Sequence, residues 1–232
     1  MEDIIKLRND MEESLTWRKQ EYFTLKNTLK EENKIPVTKI LIVILYAHLE
    51  GFFKDCLESY VSFLNSSEKT LASFSDEIIT LSLTKEFSSF EDLNKKCKEL
   101  KLNLPIESFL HKFHRRKELT IIFRTDYLNK KIKINEKVIN TKSNLNYDIF
   151  QENFYLFGLD YNYFDSYKEF INKLVNLRNS VAHGSQKTPI NFNDFQNIEL
   201  KILELMEKII VYLYNYCEKK NYLSKEINIF YR

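Results

Sequence analysis

Glycine and proline are nearly missing from this chain, at three residues each in 232. A fold of many short strands needs frequent turns and draws on both, so their scarcity favours long helices. Plentiful Leu, Lys and Glu agree. Cysteine is as scarce: Cys56, Cys97 and Cys217 are odd in number and form no CxxC pair, which suits free thiols in a reducing compartment. Long apolar runs are missing too. The longest, "ILIVILYA" (40–47), falls far short of the ~20 residues of a membrane span. The charged N-terminal "MEDIIKLRNDMEES" has no apolar core of the kind a signal peptide carries. The expectation is a soluble, cytoplasmic protein with no membrane partner. No charge of one sign dominates: 35 Lys and Arg against 33 Asp and Glu leave a net +2, so any surface for nucleic acid must be local. There is also no glycine-rich phosphate loop, no HExxH and no acidic metal cluster. The sequence asks for no metal and no cofactor.

What is present is apolar periodicity. The chain is 44% hydrophobic and 14% aromatic, enough to bury a core in one large helical domain or two small ones. Ile4, Leu7, Met11, Leu15, Tyr22, Leu25 and Leu29 trace one face of a first helix, Arg18 taking one turn of the stripe, with a boundary near Pro36. Ile42, Tyr46, Leu49, Phe53, Leu57, Tyr60 and Leu64 trace a second helix over about 37–64. Gly51 inside it marks either close packing or a tolerated weak point. Between 66 and 143 the pattern loosens. "SSEKTLASFSDEIITLS" and "SSFEDLNKKCKELKL" read as short helices, "IESFLHKFHRRKELTIIF" as a basic helix, and "KKIKINEKVINTK" as a small hairpin or an irregular excursion. Asn144 is expected to cap a helix over 145–157 that stops at Gly158. A helix from about Phe164 to His183 follows, then a last one from near Asp194 that buries Ile198, Ile202, Leu205, Ile209, Leu213 and Tyr216. With no repeats and no clear linker, the chain reads as a single all-α domain, 1–232, with an insertion at about 66–143.

The stretch "LVNLRNSVAHGS" (174–185) places Arg178, Asn179, Ser180 and His183 in the last turns of a helix that should be building a core. At about 100° per residue, Phe170, Leu174, Leu177 and Val181 form the core stripe, while Asn172, Asn176, Asn179 and His183 lie on roughly the opposite side. Asparagine competes with the helix for backbone hydrogen bonds, so three on one side are a poor choice for a merely solvated face. That side reads as a polar surface that meets something. The plainer alternative is an ordinary helix end, with Arg178 paired to a carboxylate. Asn179 is one turn from His183 and can orient its imidazole; Arg178 points off that side but can reach the same pocket. Gly184 offers a left-handed stop. Glu50 could hold Arg178 from the second helix, with Asn176 and Ser180 in support.

"HKFHRRK" (111–117) holds a second group. His111 and His114 have a metal-compatible spacing but no third ligand. Lys112, His114, Arg115, Arg116 and Lys117 instead suggest a basic RNA-contacting patch, against the alternative of a solvated face. Lys130, Lys131 and Lys133 are a weaker candidate of the same kind.

"LVNLRNSVAHG" resembles the signature of the HEPN superfamily, whose helical ribonucleases carry Arg, four residues, then His near a helix end. Arg178 and His183 have that spacing, and Asn179 matches the polar residue usual after the arginine. "ILYAHLEGFFKDCLESYVSFL", "TWRKQEYFTLKNTL" and "SNLNYDIFQENFYLFGLD" resemble segments of a HEPN nuclease subgroup encoded near bacterial defence and toxin–antitoxin genes. The resemblance covers roughly the first 65 residues and 144–184. It implies a helical bundle that forms a homodimer with a composite active site, metal-independent cleavage of RNA, and an antitoxin or defence-system partner. It assigns catalysis to Arg178, Asn179 and His183. Some HEPN toxins carry a modifiable tyrosine two residues after the histidine; here that residue is Ser185.

Overall fold

Where the sequence is periodic, helices form. The computed structural model describes residues 2–29, 34–97, 104–125, 129–185 and 190–224. Among them are eight α-helices and no sheet: α1 Glu2–Thr28, α2 Lys34–Asn65, α3 Asp76–Ser82, α4 Thr84–Glu91, α5 Phe109–Thr125, α6 Tyr147–Leu156, α7 Lys168–Ala182 and α8 Phe192–Glu218. No helix of the described residues is long and apolar enough to cross a membrane. The chain divides into two compact units, one of Met1–Phe63 with Glu136–Asn221, the other of Leu64–Asn135 with the segment from Tyr222 onward.

In the first unit α2 is the central rod. The six residues of its stripe that lie in this unit, from Ile42 to Tyr60, are at most 2% exposed. It begins a few residues earlier than the pattern suggests, with Pro36 inside its first turn, where a missing N–H leaves no helical bond unmade. Phe53 stacks on Phe150 of α6 at 4.7 Å, Phe150 on Phe154 at 4.6 Å, and Phe164 meets both edge-on. α1 and α7 both pack on α8, which buries Ile198, Ile202, Leu205, Ile209 and Leu213 as expected; Tyr216 is half-buried. On α1, Arg18 takes its place in the stripe. It bonds Asp55 of α2 at 2.7 Å and lies over the Trp17 ring at 4.2 Å. Gly51 serves this arginine, because a Cβ there would stand 2.7 Å from Arg18 Nη1.

Two helix starts differ from expectation. α6 is capped by Asn146, not Asn144: the Asn146 side chain accepts Ile149 N–H at 2.9 Å. α7 starts at Lys168, because Asp165–Tyr167 form a 3₁₀ turn that turns Phe164 and Tyr167 inward together. The connection from α6 into α7 is tied down by tyrosines. Tyr147 donates to Asp165 at 2.6 Å, Tyr212 accepts Asp160 N–H at 2.7 Å, and Tyr216 donates to the Gly158 carbonyl at 2.8 Å.

In the second unit the serine-rich segments give α3 and α4, but α4 ends at Glu91. Asp92 accepts the N–H of Asn94 at 2.9 Å, an Asx turn that competes with the helix, and the chain is non-helical through Cys97. The rest of that expected helix lies outside the described residues. α5 forms as expected. The alternating "KIKI" is an extended excursion with a single bridge, Lys131 to Thr70. Asn65 replaces a strand partner, accepting Ile134 N–H at 2.7 Å and donating to Ile134 O at 2.9 Å, and Ile132 and Ile134 are buried.

Candidate active site

α7 buries Ile171, Leu174 and Val175. Phe170, Leu177 and Val181 of the expected stripe are half-buried, so the inward face is rotated by roughly 80° from the sequence reading. The rotation changes the standing of Arg178. One turn beyond Leu174, it continues the inward face instead of pointing off it, and its guanidinium lies 4.0 Å over the ring of Tyr46 on α2. Nη1 donates to Asn179 Oδ1 at 2.8 Å and Nη2 to the Ser143 carbonyl at 3.1 Å. Lys142 and Ser143 both have φ of 52°, a left-handed turn that presents this carbonyl.

The same turn is fixed from two further directions. Asn179 Nδ2 donates to Asn144 Oδ1 at 3.2 Å, and the Tyr46 hydroxyl accepts Leu145 N–H at 2.7 Å. Burial pushes the Tyr46 phenol up to about 12, with the nearby Glu50 carboxylate adding to the shift. Glu50 lies one turn beyond Tyr46 on α2. Among the described residues no ion pair joins it to Arg178, and its Oε1 is buried without a hydrogen-bond partner.

The Asn179 amide is therefore committed to Arg178 and to the turn before α6. It meets His183 only through the backbone, where Asn179 O accepts His183 N–H at 2.9 Å. His183 is the C-cap of α7 and is exposed. The helix closes behind it in a Schellman motif: Gly184, at φ 66°, gives its N–H to Val181 O at 3.1 Å, and Ser185 to Ser180 O at 3.0 Å. The expected asparagine side divides. Asn172 accepts Tyr147 N–H at 2.9 Å and helps start α6, whereas Asn176 is exposed beside a cleft of about 540 Å³ shared with Lys173, Leu177 and Asp194. Ser180 bonds back to Asn176 O at 2.7 Å.

The site thus includes Tyr46, Ser143, Asn144 and Leu145, which the sequence reading did not assign to it. Tyr46 was indistinguishable from its neighbours in an apolar stripe, and Asn144 looked like a helix cap.

The five residues of the basic patch do not share one surface. Arg116 and Lys117 are exposed, next to Phe109 and Phe113 at 72% and 53% exposure. Lys112 pairs with Glu107 at 3.0 Å and His114 lies 3.4 Å from Glu118. Arg115 turns inward and is buried, as is His111. Lys130 and Lys131 are paired with Glu86 and Glu68, and the Lys133 N–H bonds Ser82. Among the described residues no group of three or more His, Cys, Asp or Glu side chains is arranged to hold a metal ion.

Comparison with curated proteins and with solved structures finds no match. The RiboL-PSP-HEPN family model matches residues 13–215, nearly the whole chain and every element of the candidate site. HEPN membership supports a nuclease or an RNA-binding module, and by this match the chain belongs to the RiboL-PSP-HEPN family of the HEPN superfamily.

Proposed function

We propose that this chain is a metal-independent endoribonuclease acting as a toxin or phage-defence effector in the cytoplasm. The observation that carries the reading is the contrast within one helix end. Arg178 is fixed by a tyrosine ring, a carbonyl and an amide, while His183 is exposed at the Gly184-closed terminus. A neutral His183 takes the 2′-hydroxyl proton as that oxygen attacks the adjacent phosphate, and a protonated His183 gives its proton to the 5′ oxygen as the P–O5′ bond breaks. A second copy in a homodimer brings a second histidine, so that the two tasks are divided across a composite site. The planar guanidinium of Arg178 stabilises charge on the phosphoryl oxygens. Asn179 holds the arginine, with Glu50 acting through Tyr46, and Asn176 and Ser180 flanking the site. Residues 66–143 are an insertion in a single HEPN-like domain, and within it Arg116 and Lys117 contact RNA. An antitoxin or defence partner restrains the activity.

The test is incubation of purified protein with mixed cellular RNA in EDTA, beside His183→Ala. Cleavage by the wild type alone, leaving 2′,3′-cyclic phosphate ends and sparing DNA, is expected. Cleavage by both would remove His183 from the mechanism.

One observation favours a second reading, a non-catalytic HEPN module that binds RNA or a partner protein. Arg178 already has a structural duty, joining α7 to α2 and to the turn at Ser143. On that reading Arg178→Lys lowers stability, and no RNA is cleaved under any condition that permits RNA binding.

A further inference from the structure

Two inward-facing polar residues lie one turn apart on α5. His111, 1% exposed, accepts the N–H of Cys97 at Nδ1, 3.1 Å away. Arg115 is 5% exposed, and among the described residues its guanidinium donates only to the Lys95 carbonyl, at 3.3 Å. A guanidinium has five N–H donors. Two carboxylates line the same cavity, but each is paired with another cation: Glu118 with Lys95 at 2.5 Å and with His114, Glu86 with Lys130 at 2.6 Å. A buried cation left without a counter-ion is expensive, because the attraction that should offset its lost hydration is missing.

Arg115 lines a cavity of about 300 Å³ formed by α4, α5 and Lys95. Phe90, Leu119 and Ile122 supply apolar wall. We propose that this cavity is a binding site for a small organic anion. Its carboxylate or phosphate head pairs with Arg115, whose planar fork suits either group, and its apolar body lies against Phe90, Leu119 and Ile122. The anion supplies the direct ion pair that Arg115 lacks, since Glu86 and Glu118 are already paired with other cations. The volume, at the lower end of small-molecule sites, suits a compact monomeric ligand. This site uses no residue of the proposed nuclease centre and does not depend on that reading.

The test is the unfolding temperature of the full chain in buffer free of phosphate and carboxylate, with phenyl phosphate, benzoate or inorganic phosphate added. Phenyl phosphate or benzoate raises the wild-type Tm by roughly 5–10 °C at a hundredfold excess over Kd, and inorganic phosphate does so less. Arg115→Met loses the response. Without probe its Tm equals or exceeds the wild-type value, because the unpaired charge is gone. Phe90→Ala narrows the advantage of phenyl phosphate over inorganic phosphate. Arg115→Lys, which keeps the charge without the fork, retains a weakened response at least tenfold higher in Kd. The proposal is overturned if no probe moves the wild type, if the probes move Arg115→Met equally, or if Arg115→Met unfolds or melts well below the wild type without probe. That last result would make Arg115 a structural tie to the Lys95 carbonyl.

Discussion

Arg178 in the first unit and Arg115 in the second occupy the same kind of position, each continuing the inward face of its helix. Their surroundings differ. Arg178 has a ring beneath it, a carbonyl and an amide oxygen at its nitrogens, and partial access to solvent. Among the described residues Arg115 has a single long hydrogen bond, and it meets almost no solvent. A cation surrounded by neutral acceptors keeps its charge available for an incoming phosphate while being held still. A buried cation whose neighbouring carboxylates are paired with other cations has a place for an anion. The two sites teach that a buried-stripe arginine is read by what compensates it.

The widest gap between the two comes from removing the groups themselves. On the proposed mechanism, His183→Ala is expected to lower RNA cleavage roughly 100- to 10,000-fold and to leave Tm unchanged, since the side chain is exposed. Arg178→Ala abolishes cleavage as well but also costs about 2–3 kcal/mol of stability, from the lost ring contact and charged hydrogen bonds. Urea denaturation of the two variants beside a cleavage assay separates them. Equal stability of both would mean that the Tyr46 and Ser143 contacts do not hold Arg178, and the comparison with Arg115 would collapse.

Tyr46 sharpens the same point at smaller cost. Tyr46→Phe keeps the ring under Arg178 but removes the acceptor for Leu145 N–H, a loss of about 1–3 kcal/mol for an orphaned donor. Cleavage per folded molecule stays near wild type. Tyr46→Leu also removes the ring, and cleavage falls. If cleavage falls equally in Phe and Leu variants, the hydroxyl and the turn it fixes matter more than the ring.

Much of the frame was readable because α2 and α8 each carry one continuous apolar stripe and α1 carries one that Arg18 interrupts, although Leu25 at its end is exposed. α7 was misread because it carries two. Ile171 and Val175 lie to one side of Leu174, Phe170 and Leu177 to the other, and only its neighbours decide which side turns inward. That choice moved Arg178 from the edge of the site to its centre. The candidate residues Arg178, Asn179 and His183 could be picked out from the sequence, whereas the groups that surround Arg178 and Asn179 could not. Tyr46 sits on a helix remote in sequence, and the Ser143–Asn144 turn depends on two positive-φ residues, lysine and serine, whose identities do not announce it. In the basic segment, pattern alone could not tell the outward Arg116 from the inward Arg115.

Arg18 is the third arginine of this kind, and it offers the finest test. It has a ring at 4.2 Å, as Arg178 does, and a carboxylate as well, Asp55 at 2.7 Å. Gly51 makes room for it. Gly51→Ala should gain about 0.8–1 kcal/mol from helix propensity, yet its Cβ would crowd Nη1 and force the guanidinium off Asp55, a loss of about 1 kcal/mol for a partly exposed pair. The net change expected in the wild type is within about 0.5 kcal/mol of zero. In an Arg18→Ala background the crowding is gone, and Gly51→Ala should stabilise by close to the full propensity gain. A double-mutant cycle by urea denaturation reads the difference as a coupling of about 1 kcal/mol. If Gly51→Ala stabilises both backgrounds equally, the guanidinium moves aside freely. A ring and an acceptor would then not be enough to fix an arginine in this fold, and the claim that they fix Arg178 would lose its support.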